Sequence, residues 1–88
     1  MKKIILDGAM MHEKTAAHEH IAAAMDFPDW YGKNLDALWD MLSACGETEV
    51  ELVNAPALLN ALGDYACRLL GCFYEAAGEN ERLKFRVI

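Results

Sequence analysis

The sequence predicts an α/β fold, a small three-stranded parallel sheet packed against about four helices. Three segments have strand character, and two pairs of segments with helical periodicity separate them, in the order β-α-α-β-α-α-β. Both connections between strands are long, as parallel pairing requires. The 88 residues, 55% of them hydrophobic and without a repeat or linker, are expected to form one domain over residues 1–88 with a small core.

The first strand and the first helix are expected before residue 26. Residues 4–6 form a short β-branched run that ends at an Asp-Gly pair, which predicts a buried strand followed by a turn. The alanine-rich residues 16–25 are predicted as a helix that Thr15 caps. Pro28 prevents this helix from continuing.

The second helix is expected over residues 35–44. Its leucines are spaced i, i+3 and i+7 and form one apolar stripe, at Leu35, Leu38 and Leu42. Asn34 is a favourable N-cap, and Gly46 ends the helix.

The second half of the chain is predicted to hold two strands and two helices. Residues 49–53 alternate charged and apolar residues, which indicates a strand exposed on one side and suggests an edge of the sheet. Residues 54–62 are expected to form a short helix, and Asp64 to cap a longer helix that runs to Ala77. Residues 83–88 return to the alternating pattern of a strand.

The second helix carries an outward face with two carboxylates. At roughly 100° per residue, Asp36, Asp40 and Ser43 lie about 150° away from the leucine stripe. Asp36 is in the first turn, where the helix macrodipole stabilises a negative charge. Asp40 lies one turn further in, where aspartate is a mediocre helix former, and this favours a functional explanation.

Aromatic residues accompany these carboxylates. Trp39 falls between the apolar and acidic faces, where a tryptophan is either the edge of a core or an interface anchor. Trp30 and Tyr31 precede the helix and favour a contact surface. The alternative interpretation is an ordinary solvated acidic face.

The distribution of charge points to a basic protein partner. Residues 26–51 hold seven acidic residues and Lys33 alone as a basic one, so this segment accounts for the whole formal net charge of −6. A concentrated negative field repels nucleic-acid phosphates, which argues against direct nucleic-acid binding, and attracts a basic protein.

The sequence offers little support for a metal site, a cofactor or catalysis. His18 and His20 diverge on the predicted helix, and the cysteines lack metal-ligand spacing, at Cys45, Cys67 and Cys72. We find no glycine-rich phosphate loop and no nucleophile motif. The N-terminal apolar run is too short for a secretory or transmembrane segment, so a cytoplasmic protein with reduced thiols is expected.

The segment PDWYGKNLDALWD, residues 28–40, resembles the signature of the barstar family, the intracellular inhibitors of secreted ribonucleases of the barnase type. The resemblance extends through the N-terminal KK-strand-turn segment, FYEAAGE in the last helix and the closing strand, so it covers nearly the whole chain. It implies a three-stranded parallel sheet with four helices, in agreement with the prediction from the residues.

By position, the resemblance implies a surface that binds a basic microbial ribonuclease. Asp40 is expected to enter the enzyme's active site, where its carboxylate stands in for the substrate phosphate, and Asp36 to flank it. The other implied contact positions are Trp30, Asn34, Trp39, Ser43, Ala44, Cys72, Glu75 and Glu79. No cofactor is implied.

The sequence departs from the family pattern near this surface. Lys33 replaces a typical glutamate, Cys45 replaces a typical tryptophan, and Arg68 adds a positive charge to the face of Glu75. Ser43 and Ala44 stand where threonine and glycine are usual. These departures favour a ribonuclease other than barnase as the cognate enzyme.

Two other functions are compatible with the same residues. One is an immunity protein against a ribonuclease toxin delivered by a neighbouring bacterium, which would use the same acidic surface. The other is a non-inhibitory interaction module that docks a different basic surface. An enzyme would need a concave site with a paired acid and base, which the sequence does not supply.

Overall fold

The structure is a computed structural model that describes residues 2–88. Three strands form one parallel sheet in the order β1-β2-β3. The elements in chain order are β1 (Lys2–Asp7), a 3-10 turn (Gly8–Met10), α1 (Lys14–Met25), α2 (Leu35–Ala44), β2 (Thr48–Val53), α3 (Ala55–Leu62), α4 (Asp64–Glu79) and β3 (Leu83–Val87). The predicted α/β fold with three parallel strands and four helices is confirmed.

Strand β2 lies in the middle of the sheet, so its predicted edge position is wrong. The alternation of charged and apolar residues in this strand has another cause. Val50 and Leu52 face the helices and are fully buried, whereas Glu49 and Glu51 belong to the opposite face. The alternation of charged and apolar residues in β2 therefore arises because helices cover only one face of the sheet. This is unusual for parallel strands.

A carboxylate in the central strand is stabilised by cations from both neighbouring strands. Glu51 is only 7% exposed. Its carboxylate accepts hydrogen bonds from Arg86, whose Nε lies 3.0 Å away, and Lys3 Nζ lies at 3.5 Å. Hydrogen bonding from Arg86, with a smaller contribution from Lys3, holds the pKa of Glu51 below its ordinary value. The uncovered face is thus a charged ladder.

The core lies between the other face of the sheet and the helices. In β1, Ile4 and Leu6 are buried but Ile5 is 50% exposed, so the prediction of a wholly buried strand is wrong at that position. The rings of Phe73 in α4 and Phe85 in β3 stack with their centroids 4.7 Å apart. The apolar stripe predicted for α4 faces this core, with its buried members at Ala66, Leu69, Phe73 and Ala76.

Three predicted helix boundaries differ from the structure. Helix α1 begins two residues earlier than expected, at Lys14 instead of Ala16, and Glu13 rather than Thr15 is its N-cap. Helix α4 has Gly63 as its N-cap, so Asp64 is its first residue. At that position the helix dipole still stabilises the carboxylate of Asp64. The same helix continues past Ala77 to Glu79.

Contacts at both ends hold α2 and α4 side by side. The side-chain amide of Asn80, directly after α4, donates to the carbonyl oxygens of Leu42 at 2.9 Å and Cys45 at 3.0 Å, at the end of α2. Near the start of α2, the Cys72 Sγ donates to the carbonyl oxygen of Leu35 at 3.8 Å. The outward faces of the two helices therefore form one continuous surface.

A buried histidine in α1 connects this helix to the segment before α2 and to α4. His18 has no exposed surface, and its Nδ1 and Nε2 each lie 2.7 Å from a tyrosine hydroxyl, those of Tyr31 and Tyr65. Burial lowers the pKa of His18, which favours the neutral ring. A neutral imidazole has one donor and one acceptor, so one hydroxyl donates to it and the other accepts from it.

Candidate protein-binding surface

The N-terminus of α2 sets the orientation of its acidic face. The Asn34 Oδ1 accepts a hydrogen bond from the amide of Ala37 at 2.7 Å, which fixes the first turn as predicted. Leu38 and Leu42 are then fully buried against the core. The opposite side of the helix is left exposed, with Asp36, Asp40 and Ser43 on it.

Ser43 and Trp39 interact within α2. The Ser43 Oγ donates to the Trp39 carbonyl oxygen at 2.7 Å, so its hydroxyl proton is used inside the helix while the oxygen remains free to accept. The Trp39 side chain is half-buried and packs against the core with part of its ring. Both roles considered for this boundary tryptophan are therefore compatible with its position.

A groove of about 520 Å³ runs between α2 and α4. From α2 it is lined by Leu35, Asp36 and Trp39, and from α4 by Cys67, Arg68, Gly71, Cys72 and Glu75. This arrangement brings Glu75 close to Asp36 although 38 residues separate them in the chain. Glu79 is exposed one turn beyond Glu75 on α4.

Cys72 forms part of the groove wall and is half-buried. Burial, followed by the negative charges of Glu75 and Asp36, raises the pKa of the Cys72 thiol to about 11. The thiol is therefore uncharged at neutral pH. Helices α2 and α4 each contribute one carboxylate to the groove that this sulfur lines, Asp36 and Glu75.

The segment before α2 exposes one aromatic residue and buries the other. Trp30 is 76% exposed, whereas Tyr31 is 5% exposed and has its hydroxyl on His18. The expectation that Tyr31 belongs to a contact surface is therefore wrong, because this ring is part of the core. Lys33, which follows, has a left-handed backbone with φ of 55° and pairs with Glu19 at 3.2 Å.

Ala44 is exposed at the C-terminal end of α2, beside a second groove that the sequence did not reveal. This groove measures about 390 Å³, and its apolar lining includes Met25, Phe27 and Met41. Cys45 also lines it, at the position where a tryptophan is typical of the resemblance. The replacement of a tryptophan by the smaller Cys45 was the only signal in the sequence for this groove.

The carboxylates of the α2 and α4 surface are not neutralised within the chain. Among residues 2–88, the ion pairs use Glu19, Glu49 and Glu51 as their acidic members, and none involves a carboxylate of this surface, namely Asp36, Asp40, Glu75 and Glu79. The sequence had assigned Glu49 and Glu51 to the same acidic segment, but both lie on the uncovered sheet face. Four carboxylates without an ion pair therefore lie together on two adjacent helices.

Neither a cluster of potential metal ligands nor a membrane-spanning helix occurs in the described part of the chain. Over residues 2–88, we find no group of three or more histidine, cysteine, aspartate or glutamate side chains that could hold a metal ion. His20, one of the candidate ligands, accepts a hydrogen bond at its Nε2 from the amide of Asp7 at 3.0 Å. In the same part of the chain, every helix is too short or too polar to cross a membrane.

Comparison with known proteins identifies the family to which the chain belongs. The family model described as Barstar (barnase inhibitor) matches residues 1–88. The chain is also 38% identical over 90 residues to a Bacillus subtilis (strain 168) protein named "Putative ribonuclease inhibitor YrdF", an alignment that covers 100% of this chain and 98% of that protein. The match of a family model over the full sequence, together with this identity, shows that the chain belongs to the barstar family.

Proposed function

We propose that this protein inhibits a basic ribonuclease by covering the enzyme's active site with the acidic surface of α2 and α4. The observation that supports this most directly is the set of four exposed, unpaired carboxylates on these adjacent helices, at Asp36, Asp40, Glu75 and Glu79. The family description and the name of the Bacillus relative both refer to ribonuclease inhibition.

The chemistry of a ribonuclease active site fits such a surface. An enzyme that binds RNA must present cations and N–H donors to phosphate groups. A carboxylate held on a helix can take the place of a phosphate among those groups, through charge-assisted hydrogen bonds. We assign this role to Asp40, with Asp36 and Glu75 as further acidic contacts and Glu79 at the rim.

Uncharged residues complete the proposed contact. Trp30 and Trp39 would supply apolar area at low entropic cost, as aromatic anchors commonly do in interfaces. The remaining proposed contacts are smaller or less exposed, at Asn34, Ser43, Ala44 and Cys72. The inhibitor acts by exclusion of RNA and needs no cofactor.

The biological setting of the proposed inhibitor is intracellular protection. The three cysteines are free, at Cys45, Cys67 and Cys72, which fits a reducing compartment. We therefore place the protein in the cytoplasm. The same surface would serve against the cell's own ribonuclease or as immunity against a ribonuclease toxin from another bacterium.

A titrated RNA-cleavage assay tests this function. The intact chain is added to barnase and to other small basic microbial ribonucleases, including those of the source organism. We expect one equivalent to abolish the activity of the cognate enzyme. If none of these enzymes is inhibited, the proposed function is wrong.

Substitution of Asp40 tests its assigned role. We expect Asp40→Ala to raise the dissociation constant more than Asp36→Ala or Glu75→Ala, because it leaves active-site cations desolvated without a counter-charge. The expected loss is about 2 kcal/mol or more, roughly thirtyfold in affinity. Glu13→Ala, which removes an exposed carboxylate in front of α1, is the control, and calorimetry measures all four.

Two results of these measurements would contradict the role assigned to Asp40. A smaller effect for Asp40→Ala than for either neighbour would remove Asp40 from the centre of the surface. Loss of the folded circular dichroism spectrum in Asp40→Ala would instead assign this residue a structural role.

A further inference from the structure

Arg68 is an exposed cation within the acidic surface. It lines the groove between α2 and α4, opposite Asp36 and Trp39 and on the same helix as Glu75. Positions 68, 72 and 75 are spaced i, i+4 and i+7, so these side chains share one face of α4. A partner that covers Glu75 and Asp36 would therefore also meet the guanidinium of Arg68.

The guanidinium of Arg68 is not engaged by the chain itself. Within residues 2–88, the cations that form ion pairs are Lys3, Lys33 and Arg86, and Arg68 takes part neither in an ion pair nor in a side-chain hydrogen bond. Lys33, the other basic residue beside α2, is already paired with Glu19 at 3.2 Å. Arg68 therefore keeps its five N–H donors for a partner.

An unpaired arginine at this position opposes the binding of a uniformly basic surface. It reduces the long-range attraction that brings a basic enzyme to the acidic helices. It would also lose hydration in the complex, which is costly for an ion that forms no ion pair with the carboxylates of its own groove, Asp36 and Glu75. An enzyme with a carboxylate at the facing position would avoid both penalties and could form a bidentate pair with the guanidinium.

We propose that Arg68 is a specificity-determining residue, and that the ribonuclease bound by this chain presents an aspartate or glutamate to it beside the basic active site. This inference rests on the proposed function and narrows its partner class. Ribonucleases with a neutral or basic residue at that position would be disfavoured, because they leave Arg68 desolvated and unpaired. Arg68 thus selects among enzymes that Asp40 alone would not distinguish.

Neutralisation of Arg68 tests the proposal, because the proposal and simple charge repulsion predict opposite changes in the dissociation constant. Among the ribonucleases titrated as above, the one that the intact chain inhibits most strongly serves as the probe. We expect Arg68→Gln to raise its dissociation constant about tenfold or more, mainly through faster dissociation. Long-range repulsion alone predicts the opposite, tighter binding. Lys84→Gln removes the same charge from the uncovered sheet face and is expected to change binding less than about twofold.

Charge reversal identifies the facing carboxylate. Each exposed acidic residue around the enzyme's active site is changed to lysine in turn and tested against Arg68→Glu. One such pair should recover most of the affinity that Arg68→Glu loses, as a double-mutant cycle would show.

Two results would overturn the inference without affecting the proposed function. Either Arg68→Gln leaves binding unchanged or tighter while the intact chain still inhibits, or no lysine variant restores affinity to Arg68→Glu. If the intact chain inhibits no ribonuclease, the proposed function fails and the pairing fails with it.

Discussion

At the residue scale, polar groups divide into those that the fold has satisfied and those left free. His18 is fully buried with both ring nitrogens engaged, and Glu51 is buried with cations on two sides. Asp40 and Glu75 are exposed and take part in no ion pair within the described part of the chain. A free carboxylate is available to a partner, whereas a satisfied one contributes to stability.

The buried His18 makes the stability of the protein depend on pH. Burial lowers the pKa of His18 below its ordinary value of 6.5. Below about pH 6.5 the unfolded chain therefore binds a proton that the folded protein does not bind. We expect the free energy of unfolding to fall as the pH drops from about 7 towards 5.5, with a slope from this group of at most about 1.4 kcal/mol per pH unit.

Urea unfolding at pH 7.5 and 5.5 measures this dependence. His18→Gln should be less stable at pH 7.5 and should lose part of the difference between the two pH values. His12→Gln, at an exposed position, serves as the control. An unchanged pH dependence in His18→Gln would show that other groups cause it.

At the element scale, the site depends on how α2 and α4 are held together. Each helix alone exposes a row of carboxylates of the kind that solvated helices commonly have. Together they enclose a groove in which Asp36 and Glu75 affect the same thiol, that of Cys72. The relative position of the two helices therefore creates the candidate surface.

Asn80 is expected to maintain that relative position. Its amide donates to two carbonyl oxygens at the end of α2, those of Leu42 and Cys45. Asn80→Ala would remove both hydrogen bonds and leave the Leu42 carbonyl oxygen with the weaker Cys45 thiol as a donor, at 3.3 Å. We expect this to lower the free energy of unfolding by about 1–3 kcal/mol. Chemical denaturation measures the loss, and Asn60→Ala on the exposed side of α3 is the control.

A second measurement separates a local from a general effect of Asn80→Ala. Hydrogen exchange should accelerate most at the last turn of α2, because that end loses its tie to α4. Equal acceleration throughout the protein would argue that Asn80 contributes only to global stability.

At the scale of the whole molecule, charge is distributed unevenly between two sides. The uncovered sheet face carries cations and carboxylates that pair with one another, among them Lys3, Glu51 and Arg86. The α2 and α4 side carries unpaired carboxylates with Arg68 among them. A basic partner would therefore be attracted to the helical side.

This asymmetry predicts that charge and aromatic positions affect different rate constants. Glu79→Gln should slow association with the ribonuclease at low salt and weaken its salt dependence, because a rim charge acts mainly during encounter. Trp30→Ala should leave association unchanged and accelerate dissociation by roughly thirtyfold, the effect of about 2 kcal/mol at a desolvated aromatic contact.

Stopped-flow association and surface-plasmon dissociation at two ionic strengths measure both variants. Trp30 is 76% exposed in the free protein, so its removal is expected to leave folding intact. Unchanged dissociation for Trp30→Ala would show that this ring lies outside the contact.

The order and type of the elements, and the outward face of α2, follow from the sequence by itself. Two signals act within α2 alone, the spacing of Leu35, Leu38 and Leu42 and the N-cap at Asn34. They can therefore be recognised without knowledge of the rest of the chain. The family resemblance of residues 28–40 likewise depends only on the order of residues. These local signals were sufficient for the α/β fold and for the positions of Asp36 and Asp40.

Only the tertiary structure decided which elements lie beside one another. It placed β2 at the centre of the sheet, buried Tyr31 in the core against His18, and put Glu75 and Asp36 on the two sides of one groove. Considered locally, the alternation in β2 is compatible with an edge strand or a central strand. The aromatic pair before α2 is likewise compatible with exposed or buried rings. The decision depends on burial and hydrogen bonds between segments far apart in the chain, which no local pattern encodes.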